Sequence, residues 1–231
     1  MHPLPISSAL TPTLTVGELA ATRPSSTRVF FRRGIDFCCG GGKTLEEACR
    51  RRGLDPQEVL REIQLELERG EEESATWTER SQSELIQHIL VRYHEPLREE
   101  LHRLHGMTLK VLRVHGEKDP ERLSQLADTF STLKDELLPH LDKEERILFP
   151  WILSGRPVPQ GGPIDRMMFE HEQAGQLLER LRELTGNYEV PPGACNTWRA
   201  LWNGLETLER DLHEHIHLEN NILFPRASGR A

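Results

Sequence analysis

The 231-residue chain carries 37 acidic and 29 basic side chains, which gives a net charge of −8. It therefore lacks the positive surface by which proteins bind nucleic acids or anionic membranes. No apolar run approaches the roughly 20 residues of a membrane span, and the first residues lack the basic and apolar parts of a secretory signal. Four cysteines, two of them adjacent, do not resemble a secreted disulfide framework. These features predict a cytoplasmic protein with no nucleic-acid or membrane partner.

The N-terminal third predicts a small helical domain. Residues 1–13 are rich in Pro, Ser and Thr without apolar periodicity, so they are predicted to be a disordered lead. Residues 14–70 contain two helix-start signals, Thr44-Leu-Glu-Glu47 and Asp55-Pro56, and read as four short helices. So small a module is marginally stable alone and is expected to dock on the rest or on a partner subunit, which leaves a homodimer open. The acidic residues 71–82 are predicted to be a linker.

Residues 83–226 predict four long helices. Leu and Ile recur there at spacings of three and four, which is typical of amphipathic helices. Prolines and glycines separate the segments, and four long helices with short connections form an up-and-down bundle. The fold class is therefore all-α. The predicted helices run from Ser83 to Val114, from Asp119 to Pro150, from Ile164 to Thr185 and from about Pro192 to Pro225.

One motif occurs twice. His140–Pro150 and His215–Pro225 both read H-x-x-x-E-x-x-I-L-F-P. Residues four apart lie on one face of a helix, so each copy directs an imidazole and a carboxylate to one point. Each copy also has an upstream His-Glu companion, at His94 and at His171. The pattern indicates a duplicated helical hairpin.

The two hairpins together predict a dinuclear metal site, because a carboxylate can bridge two metals and each metal then receives two imidazoles. Positions remain for an oxo or hydroxo bridge and a small ligand. Mixed nitrogen and oxygen ligation suits iron or manganese, while zinc stays open from ligand type alone. We predict two non-haem iron ions. The predicted ligands are His94, His140, Glu144, His171, His215 and Glu219.

Three further carboxylates lie near these histidines in the sequence. Glu136 and Asp211 each precede a repeated histidine by four residues, where they can orient the imidazole or relay protons; a solvated ion pair is the alternative. Glu170, adjacent to His171, is a candidate for a channel mouth. The repeated Ile-Leu-Phe-Pro is predicted to serve core packing and helix termination only.

Cys38 and Cys39 lie in a Gly-rich turn with Arg32, Arg33 and Lys43 nearby. This electropositive setting is predicted to lower a thiol pKa. Candidate roles for the pair are electron relay, transient capture of iron or nitric oxide, or a redox switch; the alternative is a turn of small, partly buried residues. The other two cysteines, at positions 49 and 195, are predicted to be core residues.

The chain resembles the repair-of-iron-centres family (ScdA/YtfE type) over residues 15–226. The resemblance rests on motifs in the family's order, and Pro96 and the Pro-rich lead depart from the pattern. These motifs are Asp36-Phe37-Cys38-Cys39-Gly40-Gly41, Arg92-Tyr93-His94, His140-x-x-x-Glu144, Glu170-His171 and His215-x-x-x-Glu219-Asn220-Asn221.

The resemblance implies a hemerythrin-like bundle with two iron ions that supports recovery of iron–sulfur clusters after nitrosative or oxidative stress. Two activities are implied, donation of iron to damaged iron–sulfur proteins and reduction of nitric oxide to nitrous oxide; whether the protein is an enzyme stays open. The electron donor is unknown. Glu136 and Glu170 correspond to carboxylates associated with a channel to the metals. The alternatives are a hemerythrin-like protein that binds or senses O2, iron storage, and a zinc-stabilised bundle.

Overall fold

The computed structural model describes residues 10–68, 77–156, 158–159 and 162–229. Most of the predicted disordered lead and the acidic start of the predicted linker lie outside these residues. Tertiary contacts divide the chain into two compact units, Met1–Arg80 and Ser81–Ala231. In the described residues all regular elements are helices, and one isolated antiparallel bridge joins Thr15 to Thr44. The all-α prediction is confirmed.

The first unit contains four short helices whose ends follow local sequence signals. Thr15 and Thr44 each close a capping box with the glutamate three residues later. Gly34 and Gly53 end two of the helices in the left-handed conformation, which glycine adopts without steric cost. The helices are α1 (Val16–Thr22), α2 (Ser26–Arg33), α3 (Leu45–Arg52) and α4 (Pro56–Glu68).

Apolar side chains from all four helices form one core in this unit. Phe30 and Phe37 pack with ring centroids 5.8 Å apart, and Leu19, Leu45 and Ile63 are fully buried around them. Phe37 lies in the loop that carries the vicinal cysteines, so this loop is anchored to the core by its aromatic residue.

The second unit is the predicted four-helix bundle. A capping box at Ser81 starts its first helix. Its helices are α5 (Gln82–Ile89), α6 (Glu95–His115), α7 (Pro120–Lys143), α8 (Phe149–Leu153), α9 (Pro163–Leu184), α10 (Asn196–Leu218) and α11 (Phe224–Ala227). Three π-helical turns connect α5 to α6, α7 to α8 and α10 to α11; they are Leu90–His94, Glu144–Leu148 and Glu219–Leu223. A short 3-10 turn, Gly116–Lys118, precedes α7.

The sequence predicted that the repeated Ile-Leu-Phe-Pro ends helices, and this prediction is wrong. The chain stays helical through Pro150 to Leu153 and through Pro225 to Ala227. A proline ring clashes with the carbonyl four residues earlier in an α-helix, and in both copies that residue lies inside a π turn, where the backbone is wider. The π turn therefore lets the helix continue past the proline. The last long helix also begins at Asn196 rather than at Pro192.

The bundle closes because each long helix packs against two others: α6 and α9 both contact α7 and α10. Its core includes the fully buried Leu101, Phe130 and Trp202. Gly204 permits the close approach of α10 to α6, since a Cβ there would lie 2.5 Å from Leu104 Cδ2. Among the described residues, no helix combines the length and apolar character needed to cross a membrane.

Candidate metal centre

The structure brings all six predicted ligands together inside the bundle. They come from its four long helices, and each residue is at most 3% exposed. Imidazoles and carboxylates are rarely so deeply buried without partners, because removing charge from water is costly. The buried set is His94, His140, Glu144, His171, His215 and Glu219.

The four imidazoles form two pairs. The Nε2 atoms of His94 and His215 are 3.0 Å apart, and those of His140 and His171 are also 3.0 Å apart. Two nitrogen ligands at about 2.1 Å from one metal and at a right angle to each other are about 3.0 Å apart. Each pair thus has the spacing of two ligands on one metal ion, and each pair joins the two halves of the duplicated sequence.

The two carboxylates lie between the imidazole pairs. Glu219 Oε1 is 3.1 Å from His215 Nε2, while its Oε2 is 3.3 Å from His171 Nε2. Glu144 Oε2 is 3.6 Å from His94 Nε2, and its Oε1 is 3.8 Å from His171 Nε2. Each carboxylate therefore reaches both pairs, as a bridge between two metal ions must.

The hydrogen-bond inventory supports a metal pair. Glu144 and Glu219 are 0% exposed, yet none of their four oxygens accepts a hydrogen bond within the described part of the chain. The carboxylates face imidazoles, which compensate their charge only when protonated. Two divalent cations would supply that compensation, and nitrogen and oxygen donors without thiolate suit iron. The residues present fit the predicted di-iron cofactor.

The π turns coincide with ligand positions. Glu144 and Glu219 each begin a π turn and His94 ends one. A π turn adds a residue to the helical circuit and so changes the direction of the side chains around it, and such turns are frequent at functional sites. Each π turn is followed by a proline, and the residue four positions before that proline lies inside the turn. These prolines are Pro96, Pro150 and Pro225.

Three imidazoles are oriented through their second nitrogen. Nδ1 of His94 lies 2.9 Å from Glu145 Oε1, and Nδ1 of His171 lies 2.8 Å from Asn220 Oδ1. Each partner directly follows one of the two predicted ligand carboxylates in the sequence. Partners of this kind fix the tautomer and the ring orientation of a metal ligand. Neither partner was predicted from the sequence, although their matching position in the two copies is a usable signal.

Glu170 orients the third imidazole. Its Oε2 lies 2.9 Å from Nδ1 of His140, and its carboxylate also accepts hydrogen bonds from Lys143 Nζ and Arg166 Nε. Burial alone would raise the pKa of Glu170, but the hydrogen bonds from Lys143, His140 and Arg166 outweigh burial and hold the pKa at about 2. Glu170 is therefore an anion that touches a predicted ligand, one residue before His171.

The imidazoles of the site differ in pKa. Burial lowers the pKa of His140, but the carboxylates of Glu144 and Glu170 raise it overall, to about 9. Burial also lowers the pKa of His215, and there the carboxylates do not outweigh it. The carboxylates of Glu219, Glu144 and Glu145 also raise the pKa of His94 despite its burial. Bound iron requires neutral imidazoles, so iron competes with a proton at His140 and His94.

The other two predicted carboxylates lie elsewhere. Glu136 is exposed on the surface of α7, so the structure does not bring it to the site. Asp211 lies 3.6 Å from Arg92 Nη1 in an ion pair that is partly exposed. The phenylalanines of the repeat were predicted to serve only core packing and helix termination. They form the walls of the site: Phe149 packs on His94 at 5.6 Å between ring centroids, and Phe224 stacks on His171 at 5.9 Å.

Histidines outside the set have other partners. His217 Nδ1 lies 3.1 Å from Asn221 Nδ2, and His105 Nε2 lies 3.0 Å from Ser131 Oγ. Neither imidazole belongs to a cluster of convergent metal-ligand atoms in the described residues.

The vicinal cysteines lie in a loop organised by Asp36. Its Oδ1 accepts hydrogen bonds from the backbone N–H groups of Cys38 and Cys39, at 3.1 and 3.0 Å, and from Cys38 Sγ at 3.3 Å. Gly40 is required beside it, because a Cβ there would lie 2.7 Å from the carbonyl oxygen of Asp36. The loop therefore holds two thiols and a carboxylate together.

The prediction of a lowered thiol pKa is wrong for Cys38. The neighbouring Cys39 sulfur, burial and the charge of Asp36 raise the pKa of Cys38 well above its usual value. Arg32 pairs with Glu66, and Arg33 pairs with Glu58 and Glu62, so these guanidinium charges are neutralised by α4.

The two remaining cysteines differ from each other. Cys49 is buried, as predicted, whereas Cys195 is exposed at the start of α10, with its Sγ 3.2 Å from His115 Nε2. The core prediction for Cys195 is wrong because the last long helix starts later than expected, at the surface.

Fold and site together define a hemerythrin-type four-helix bundle built to hold two iron ions. Residues 85–227 match the family model of the hemerythrin HHE cation-binding domain, and residues 13–66 match the ScdA_N domain, described as of unknown function. The chain is 45% identical over 212 residues to the iron–sulfur cluster repair protein YtfE of Cronobacter sakazakii, covering 92% of this chain and 95% of the relative. The YtfE proteins of Dickeya chrysanthemi and Escherichia coli are 44% and 43% identical over the same shares. The chain belongs to the YtfE family of iron–sulfur cluster repair proteins.

Proposed function

We propose that the protein repairs iron–sulfur clusters damaged by nitrosative or oxidative stress, and that it acts through a di-iron centre. Damaged iron–sulfur proteins are its clients and the cytoplasm is its location. The observation that carries the proposal is the pair of fully buried carboxylates, each of which reaches both imidazole pairs. This arrangement suits two metal ions.

Within this function, the site suits reduction of nitric oxide to nitrous oxide. When bound, two ferrous ions supply the two electrons that coupling requires: two NO, two protons and two electrons give one N2O and one water. The protein residues hold and shield the pair. Glu144 and Glu219 span both positions, while Phe149 and Phe224 exclude water from the imidazoles.

Donation of iron to a damaged cluster is the second activity of the same site. It requires a metal ion that can leave without unfolding of the bundle, so at least one ligand must be weakly anchored. His215 is such a ligand, since its Nδ1 is buried and has no hydrogen-bond partner in the described residues. The same centre then serves either activity according to its oxidation state and the client.

The test is anaerobic reconstitution with ferrous iron, followed by metal analysis, Mössbauer spectroscopy and addition of NO. We expect two iron ions per chain, antiferromagnetic coupling after oxidation, and nitrous oxide at up to one molecule per chain in a single turnover. Incubation with a client whose cluster has lost iron should restore that cluster's absorbance. Zinc, one iron per chain, or reversible O2 binding without NO turnover or cluster repair would refute the proposal.

A further inference from the structure

The duplicated hairpins do not orient their imidazoles equally. In each copy, the residue after the ligand glutamate contacts an upstream companion histidine. Glu145, which follows Glu144, contacts His94, and Asn220, which follows Glu219, contacts His171. The residue before each companion histidine contacts the repeated histidine. In one copy that residue is Glu170, whose carboxylate accepts a hydrogen bond from His140 Nδ1.

In the other copy the same position holds Tyr93. Its ring stacks on His215 with centroids 5.5 Å apart and planes 9° apart. A stacked ring limits tilting but permits rotation of the imidazole in its own plane, whereas a hydrogen bond at Nδ1 opposes both motions. His215 is therefore the one imidazole of the four whose Nδ1 has no partner in the described residues.

His215 also borders open space. A cavity of about 390 Å³ lies between α6 and α10, and His215 lines it together with Tyr93, Leu97, Leu208 and Leu212. Close-packed interiors prevent side chains from changing rotamer, and a cavity beside a ring removes that restriction. His215 thus combines a free Nδ1 with room to move.

The other pair is held on both sides. Glu170, the partner of His140, is itself bound by Lys143 and Arg166. Asn220, the partner of His171, is nearly buried. In the first pair only His94 is held, through Glu145, which Arg98 contacts at 3.0 Å.

From these contacts we infer that the two metal positions differ in lability, and that the position formed by His94 and His215 is the one that exchanges iron. His215 is the ligand that detaches, by moving toward the cavity between α6 and α10. The position formed by His140 and His171 retains its iron and keeps the site assembled. The inference rests on the proposed di-iron function and specifies which half of the centre donates iron.

The kinetic test measures iron release from the full-length reduced di-iron protein to an excess of a ferrous chelator under anaerobic conditions. We expect two phases of about one iron each. Glu170→Gln should accelerate the slow phase by about tenfold or more and leave the fast phase unchanged, because loss of such a partner weakens metal binding by 10–100-fold. Glu145→Gln should accelerate the fast phase instead. A single phase in the unmodified protein, or a Glu170→Gln effect on the fast phase, would overturn the inference.

A structural test does not depend on any variant. Iron removal is stopped after the fast phase and the protein is crystallised. Anomalous scattering at the iron edge then locates the remaining iron. We expect that iron between His140 and His171; iron retained between His94 and His215, or equal occupancy of both positions, contradicts the inference. Transfer to an iron-depleted cluster protein is assayed in parallel. Absence of transfer with unequal occupancy would reject iron donation while preserving the difference between the positions.

Discussion

The two reactive places in the molecule satisfy their polar atoms in opposite ways. In the bundle, Glu144 and Glu219 are fully buried with no hydrogen bond to any oxygen in the described residues. In the thiol loop of the first unit, Asp36 already accepts hydrogen bonds from both cysteine amides, and the nearby arginines are paired with α4. Buried carboxylate oxygens that accept no hydrogen bond indicate a cation site. A carboxylate whose oxygen already accepts hydrogen bonds indicates a loop that is stable without a ligand. The unsatisfied oxygens therefore favour the bundle as the iron site, while Asp36, Cys38 and Cys39 form a smaller group of convergent metal-ligand atoms.

Removing a bridging carboxylate should have the largest effect. Glu144→Ala takes away one of two ligands that reach both positions, so we expect less than one iron per chain and no NO turnover. A Cys38→Ser/Cys39→Ser double variant should retain two iron ions. Metal analysis and Mössbauer spectra check both. His213→Ala is the control in the bundle, because His213 precedes His215 by two residues and so lies about 200° around α10 from it. If His213→Ala loses iron as Glu144→Ala does, the predicted ligand set is wrong.

Two carboxylates near His140 provide a matched comparison. Glu170→Gln replaces the anion that orients His140, so iron affinity should fall by about 10–100-fold. Glu136→Gln changes an exposed side chain on the same hairpin and should alter affinity by less than about twofold. Competition with a chelator of known affinity measures both. Equal losses would mean that Glu136 reaches the site in solution.

The Cys38 thiol should lose its proton only at high pH. The pKa of Cys38 is raised, so its thiolate forms only at a pH above that of an ordinary cysteine, and its alkylation rate should still be rising above about pH 9. The exposed Cys195 should react faster than Cys38 at every pH below that range. Mass spectrometry after timed alkylation compares the two. If Cys38 reacts faster than Cys195 at pH 7, the prediction that nearby positive charges lower its pKa would be correct after all.

The smallest expected effect concerns the backbone of the thiol loop. Gly40→Ala places a Cβ 2.7 Å from the carbonyl oxygen of Asp36, whereas Gly42→Ala meets nothing within 4 Å. We expect Gly40→Ala to cost about 1–3 kcal/mol in unfolding free energy and Gly42→Ala to be nearly neutral. Chemical denaturation measures the difference, and equal stability of the two variants would show that the loop rearranges easily.

Four of the six predicted ligands follow from helical spacing, which is local: four residues return a side chain to the same face. The sequence pattern predicted His94 and His171 from their matching positions upstream of the two copies, and the structure brings all six side chains together. Sequence reasoning missed the π turns at Glu144 and Glu219, since it treated the prolines that follow as helix ends. It also missed Glu145 and Asn220, because their targets lie on other helices and their identities differ between the copies.

The charge around Cys38 shows the same limit. Arg32 and Arg33 are near it in sequence, but their charges are neutralised by residues of α4 about 30 positions later. Only the fold brings these carboxylates to the arginines. Local spacing therefore predicted the metal ligands, while the electrostatics of the thiols depended on tertiary contacts.

The central claim is that six buried side chains hold two iron ions in two imidazole pairs. Anomalous diffraction at the iron edge from anaerobically reconstituted protein tests it most directly. The account predicts two iron peaks, one beside the Nε2 atoms of His94 and His215 and the other beside those of His140 and His171, with Glu144 and Glu219 between them. A single peak, or iron bound at Cys38 and Cys39 instead, would contradict it.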